Sequence, residues 1–579
     1  MHLTTARKVL ISAIFGLSLP ALLQAEDRDE QRAPRPNIVV IMSDDMGFSD
    51  IGCYGGEIQT PHLDRLAEGG VRFTQFYNSA RCCPTRASLL SGVYPHQAGL
   101  GLMTSERNLP GYHGELGRNV VSLAEQLGAG GYRAYMSGKW HVTRATSPNG
   151  PKSNWPLQRG FEKFYGTITG AGSFYDPATL CRGETYITPE NDSQYTPETY
   201  YYTDAISDNA VTFLNDHQRE TPEEPFFLYV AYTTAHWPMH ALPEDIARYE
   251  GKYDAGFEPI REQRMKRLKQ LGLVPSDAEL SPQPASWESV KHKEWDIRNM
   301  EVYAAMIDRM DQGIGGIVAE IERQGKLDDT LILFLQDNGG CAEGYGRGTP
   351  GRPYKTDYKP LGKDGLQTQI WPPMQTRDGR PLRVGPGEMA GPEDTFIGYG
   401  RGWANVSNTP FREYKHFAHE GGISSPLIMH WPAGMAAERR GSLEHQPGHV
   451  IDVMATCVDV AGIEHPSKYG EHEIIALEGV SLRPALEGEP LGRQEALYFE
   501  HHLNSAVRDG DWKLVRTGHT GNPARLKPWE LYDMRSDRSE LHNVAAQHPE
   551  RVAELSAKWD AWATRALIRP FPWKFEDEE

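Results

Sequence analysis

Residues 36–50 read PNIVVIMSDDMGFSD. After Pro36 the chain is apolar from Ile38 to Met42, short enough for a fully buried strand. The run ends in Ser43-Asp44-Asp45, which puts two carboxylates at the carboxyl end of that strand. The pattern extends outward. TPHLDRLAEGGVRFTQFY (60–77) reads as a helix with Pro61 near its start, a Gly-Gly stop and a strand. NVVSLAEQLGAGGYRAYMSGKWH (119–141) repeats that order. PFFLYVAYTTAHWP (225–238) is another buried strand with a polar end, and residues 300–325 have helical periodicity. TLILFLQDNGG (330–340) is again a buried strand, ending in Asp337-Asn338-Gly339. Helices alternating with apolar strands predict an α/β sheet covered on both faces. In such sheets ligands bind beyond the carboxyl ends of the strands, where these polar residues fall.

The chain has 579 residues, too many for one simple core, so a large domain with a smaller one, or one domain with insertions, is expected. Residues 1–25 read as a signal peptide: Arg7 and Lys8, the apolar run VLISAIFGLSLPALL, then Gln24-Ala25. The competing reading, a membrane anchor, is disfavoured because the run is short and contains Pro20. The mature protein is expected to be exported, periplasmic or secreted, with no stable membrane insertion after signal removal. A net charge of −18 argues against nucleic acid as a partner and means that any anion site must rely on local positive groups. Residues 26–480 form the expected catalytic domain. Within them 341–409 lack periodicity and read as a long loop bordering the site. Residues 481–579 read as a small antiparallel sheet with a final helix at VAELSAKWDAWATRA (552–566).

Asp44, Asp45, Asp337 and Asn338 at matching strand ends suit a hard divalent cation, calcium before magnesium, although either pair alone could merely cap a turn. Lys139, His141, His236, Lys415 and Arg86 are each unremarkable singly. Together they suit a tetrahedral anion held against that cation, with the histidines moving protons. CCPTRASLLSG (82–92) fits neither usual use of paired cysteines. A Cys82–Cys83 disulfide would close a strained ring, and metal sites space their cysteines further apart. The six cysteines show no framework spacing.

This stretch resembles the signature of type I, formylglycine-dependent sulfatases: Cys82, any residue, Pro84, any residue, Arg86, then the aliphatic pair and Gly92. GKWH (138–141), TAHWP (234–238), DNGG (337–340) and HEGGISSPLIMHWP (419–432) look like that family's blocks in the family's order. DAGFEPIREQRMKRLKQLGLVPSD (254–277) and the long insert resemble its bacterial arylsulfatase branch. The resemblance implies a large mixed central sheet with helices on both faces, of the alkaline phosphatase superfamily, plus the small C-terminal sheet packed with a helix. It also implies that a formylglycine-generating or anaerobic sulfatase-maturating enzyme oxidises Cys82 to Cα-formylglycine, leaving an odd number of cysteines. One calcium per chain would be held by Asp44, Asp45, Asp337, Asn338 and residue 82.

The implied reaction is hydrolysis of an aryl or carbohydrate sulfate ester by the hydrated aldehyde, through a sulfated residue 82. One hydroxyl, near the cation and Arg86, would be the nucleophile, and the cation, Lys139 and Lys415 would stabilise the sulfuryl oxygens. His236, alone or with Lys415, would protonate the leaving oxygen, and His141 would take a proton from residue 82 to release sulfate. EHHLN (500–504) departs from the family's frequent EHEGN, and no role transfers there. The rival readings are a phosphoesterase or phosphonate monoester hydrolase of the same superfamily, and an exported, non-catalytic anion- or glycan-binding protein.

Overall fold

Strand β1 (Asn37–Ser43) is buried along its whole length, and its side chains alternate between two cores. Val39 and Ile41 enter one core, while Ile38, Val40 and Met42 enter the other. The period of two in a strand dictates this split, so an uninterrupted apolar run marks a strand with helices on both sides. The computed structural model describes residues 35–348, 358–372, 374–518 and 523–573. The expected signal peptide lies outside the described residues.

The other strands of the main sheet are β2 (Val71–Tyr77), β3 (Arg133–Gly138), β4 (Lys163–Thr167), β5 (Leu180–Arg182), β6 (Thr185–Tyr186), β7 (Phe226–Ala231), β8 (Thr330–Gln336), β9 (Ser424–His430), β10 (Ser442–Glu444) and β11 (Gly448–His449). Their spatial order is β10-β2-β9-β8-β1-β7-β3-β4-β5-β6, with β11 also on β2. The centre, β8-β1-β7-β3, is parallel. β9 runs antiparallel between β8 and β2, so the sheet is mixed as expected. Helices Pro61–Glu68, Tyr202–Glu220 and Lys293–Arg323 cover one face. Helices Cys82–Ser91, Leu123–Ala129 and Ile451–Ala461 cover the other.

This topology gathers chemistry at one edge. The register Ser43↔Gln336 sets Asp44-Asp45 beside Asp337-Asn338. Gly138↔Ala231 sets the chain leading to Lys139 and His141 beside the chain leading to His236. β2 ends at the same edge and leads to Cys82; because β9 is reversed, it begins there, just after Lys415.

Residues 341–399 are largely irregular among the described residues, but Gly400–Ser407 form a helix where the sequence suggested continuous loop. Its glycines give it little intrinsic helicity. Burial of Trp403 against Phe257 and Trp287 stabilises it instead. The C-terminal antiparallel sheet runs Leu497–His501, Asn504–Asp509, Trp512–Arg516, Glu530–Asp533. One face holds Val507, Leu514 and Leu531 against Trp559 and Trp562 of helix Pro549–Arg565. The other places Phe499, Ala506 and Val515 on Tyr77 and Ile423 of the main unit. From Pro36 onward the chain forms one compact unit. Among the described residues no helix is long and apolar enough to cross a membrane.

Candidate active site

Cys82 opens helix Cys82–Ser91, all of which is buried. Pro84 sits in its first turn, where a missing N–H costs no hydrogen bond. The Thr85 hydroxyl accepts from the Ser79 amide at 2.9 Å and closes the turn ahead of the helix. Thus the Pro-Thr pair shapes the approach to the helix, and one turn on from Cys82 the Arg86 guanidinium donates to Asp337 Oδ2 at 2.9 Å and lies 3.5 Å from Asp44 Oδ2.

Three carboxylates and three cations interlock here, all with fully buried side chains. Lys139 Nζ is bonded to Asp44 Oδ2. Lys415 Nζ is 2.8 Å from the Asp45 carboxylate. Asn338 Nδ2 donates to Asp45 Oδ1 at 2.7 Å, and the Asp45 amide donates to Asp337 Oδ1 at 3.3 Å. Burial first, and then Asp337, raise the Asp44 carboxyl to about 7. Burial works against Asp45 too, but Lys415 and His236 hold it below the usual carboxylate range.

His236 Nδ1 lies 2.7 Å from the Trp237 carbonyl, which can only accept, so Nδ1–H donates and Nε2 is left facing Asp45 at 3.6 Å. Burial lowers the pKa of this ring. His141 lies beside Cys82, and burial, against the opposing effect of Cys82, pushes the ring to about 4, so it is neutral near pH 7. A Cβ on Gly170 would lie 2.1 Å from the His141 ring; glycine is what admits the imidazole. Cys83 first, then Lys139 and His141, hold the Cys82 thiol well below its usual range, although burial opposes them.

The residues singled out in the sequence, namely Cys82, Arg86, Lys139, His141, His236, Lys415, Asp44, Asp45, Asp337 and Asn338, therefore converge on one buried centre. Asp44 Oδ1 and Asn338 Oδ1 are buried there with no hydrogen-bond partner. Orphaned buried oxygens are costly. Together with a raised Asp44 and an oxygen donor set, they fit a hard divalent cation. Asp44, Asp45 and His236 could also converge on one ion, which puts His236 within its reach.

Sequence reasoning missed Glu343, Arg81 and His416. Glu343 joins Arg81 (3.0 Å), Lys415 (3.4 Å), His416 (3.2 Å) and the Trp237 indole N–H (2.8 Å). Tyr345 packs on Trp237 with ring centroids 4.5 Å apart. Arg81 adjoins the cysteine motif and could have been read from it. Glu343 lies 262 residues from Arg81, and no local pattern announces it. No disulfide involves any of the six cysteines.

Residues 36–463 match the family model described as Sulfatase, and residues 412–561 match that of the N-sulphoglucosamine sulphohydrolase C-terminal region. An uncharacterized sulfatase of Schizosaccharomyces pombe is 30% identical over 92% of this chain and 94% of its own length. An arylsulfatase of Klebsiella aerogenes is 32% identical over 77% of this chain and 91% of its own. A solved protein in complex with its substrate D-glucosamine-2-N,6-O-disulfate superposes with a TM-score of 0.60 at 19% identity, covering 93% of this chain and all of the other, which speaks to fold.

Proposed function

The chain belongs to the sulfatase family and is a sulfuric ester hydrolase, and from that premise we propose that it works through formylglycine made from Cys82, with one calcium, on aryl or carbohydrate sulfates. The observation that carries this reading is the burial of Cys82 beside His141 and Lys139, next to Arg86 and the carboxylates at the ends of β1 and β8. Oxidation of its CH2–SH to an aldehyde removes sulfur and two hydrogens and adds oxygen; hydrated, that group supplies a diol as nucleophile. A cation held by Asp44, Asp45, Asp337 and Asn338 supplies charge stabilisation to the sulfuryl oxygens.

The chain's own groups do the rest. With Asp44, Asp45 and Asp337 ionised around a cation and matched by Arg86, Lys139 and Lys415, a dication would leave the centre positive, suited to a monoanionic sulfate ester and to the sulfate dianion it releases. Lys139 and Lys415 each have further ammonium protons to orient sulfuryl oxygens while gripping a carboxylate. Neutral His141 is placed to take a proton from residue 82. The Nδ1–H bond to Trp237 leaves His236 Nε2 as the nitrogen that must first take up a proton, an imidazolium favoured by Asp45 at 3.6 Å, before passing it to a leaving oxygen. The proposal includes export under the N-terminal segment and maturation by a formylglycine-generating or anaerobic sulfatase-maturating enzyme.

Mass spectrometry of the peptide carrying residue 82 tests it. The expected result in active protein is exchange of sulfur for oxygen there, with near-complete loss of turnover in Cys82→Ala but not in Cys83→Ala. Full turnover with an intact thiol would overturn it. Elemental analysis should find one calcium, lost together with activity in Asp337→Ala.

A further inference from the structure

Beside the catalytic centre, three imidazoles face one another. His416 directly follows Lys415, while His501 and His502 lie at the first turn of the C-terminal sheet. Their ring centroids are 5.6 Å (416–501), 4.4 Å (501–502) and 5.9 Å (416–502) apart. One ligating nitrogen from each lies within 4.8 Å of the other two. A tetrahedral ion with metal–nitrogen bonds of about 2.0–2.1 Å sets imidazole centroids about 5 Å apart, so the rings need move little to meet at one point.

Two further observations favour a ligand over mere packing. His501 is 1% exposed, yet neither of its ring nitrogens has a hydrogen-bond partner, and His502 Nδ1 has none either. A buried imidazole left unsatisfied on both sides is costly. The turn is also built the expensive way. His501 pairs with Asn504, so His502 and Leu503 form a two-residue hairpin loop, with φ of 52° and 68°. Glycine or asparagine is the usual occupant of such positions. His416 has φ of 84° as well. The backbone thus holds two of the three rings in place from left-handed positions.

We infer that His416, His501 and His502 form a second metal site, which takes a borderline transition-metal dication such as Zn2+. Three nitrogen donors suit zinc, copper or nickel and not calcium, so the two sites select different ions. Burial holds His416 and His502 at about 4 and His501 well below its usual range, which leaves all three in the neutral, ligating form near pH 7. Arg81 Nη1 now bonds the His416 ring, close to Nε2 and 3.4 Å from Nδ1, and must turn fully onto Glu343, already 3.0 Å away, for His416 to ligate. An ion here would tie the C-terminal sheet to the segment that carries Lys415. The inference is independent of the formylglycine reading, because its readout is metal binding and not turnover.

Zinc is titrated calorimetrically into calcium-loaded, full-length protein, with His501→Ala, His502→Ala and the exposed-site control His542→Ala alongside, each checked for folding by circular dichroism. Cobalt(II) absorption is recorded on the wild type. The expected result is one zinc per chain, weakened at least about 100-fold in the first two variants and unchanged in the control. Cobalt should give the intense visible bands of a four-coordinate nitrogen-rich site. Zinc binding that persists in folded His501→Ala and His502→Ala marks adventitious surface histidines and overturns the inference. If those variants do not fold, the cobalt spectrum decides: only weak six-coordinate bands would overturn it.

Discussion

Glu343→Gln removes one charge from the middle of four contacts and leaves the side-chain shape intact. The carboxylate lies 3.0 Å from Arg81 and 3.4 Å from Lys415, and accepts the Trp237 indole N–H at 2.8 Å. At an effective dielectric near 20 each ion contact is worth about 5 kcal/mol in Coulomb energy alone. Measured losses on breaking such pairs are about 3–5 kcal/mol, because the surviving partner stays buried and uncompensated. Arg81 and Glu343 retain 12% and 17% side-chain exposure, and Lys415 keeps Asp45, so the lower end applies, about 3 kcal/mol. For a chain of this size that lowers Tm by about 2–3 °C.

The pH dependence has a fixed sign. Burial opposes ionisation of Glu343, but Lys415 and Arg81 hold its carboxyl far below the ordinary 4.5. A depressed folded-state pKa means that the stabilisation is complete above the unfolded value and is lost as pH falls. The gap between wild type and Glu343→Gln should therefore be full at pH 7 and shrink steadily below about pH 4.5. Catalysis should split. The pocket becomes more positive, so KM for an anionic ester holds or falls. Lys415, no longer held between two carboxylates, settles on Asp45, and kcat drops by roughly tenfold. Glu343→Ala should also free Trp237 and cost more. Thermal unfolding across pH with steady-state kinetics is the assay. A pH-independent gap, or a raised KM with unchanged kcat, would refute the reasoning.

The two active-site histidines should fail differently. His236→Ala should penalise poor leaving groups more than good ones, and His141→Ala should give a burst of alcohol followed by slow turnover with weak leaving-group dependence; accumulation of sulfated residue 82 in His236→Ala alone would reverse the assignment. Gly170→Ala should displace the His141 ring, whose nearest atom is 2.1 Å from the new Cβ, and lower kcat by about 100-fold; unaltered kinetics would show that the ring is not needed where it stands. Lys513→Met should cost about 3–5 kcal/mol in unfolding experiments, since Lys513 lies 2.9 Å from Glu420 and 2.8 Å from Glu540 in a fully buried cluster; an unchanged denaturation midpoint would contradict that.

The sheet's central strands were legible because β1, β7 and β8 are buried on both faces, and burial on both faces writes itself as an unbroken apolar run. Residues at the ends of those runs were legible for the same reason: Asp44, Asp45, His236, Asp337 and Asn338 are where the run stops. The helix at Gly400–Ser407 was not, because its stability comes from Trp403 meeting rings more than a hundred residues away in sequence. Glu343 was equally silent. A carboxylate in an aperiodic segment looks like solvent-facing charge until the chain folds Arg81, Lys415 and Trp237 around it. His416 and His501 show the same limit: each is an ordinary letter, and only their adjacency across 85 residues of sequence carries meaning.

The pairing of β1 with β8 also sets a timetable. Asn338 bonds Asp45 across 293 residues, so a ribosome adding about 5–20 residues per second needs about 15–60 s after Asp45 is made before its partner exists. Arg86 waits similarly for Asp337, 251 residues downstream. Throughout that interval the helix around Cys82 lacks one of the contacts that bury it. Any enzyme that must reach the Cys82 side chain has its best opportunity then, on the nascent or newly released chain, before the last central strand slides into place and seals the residue inside.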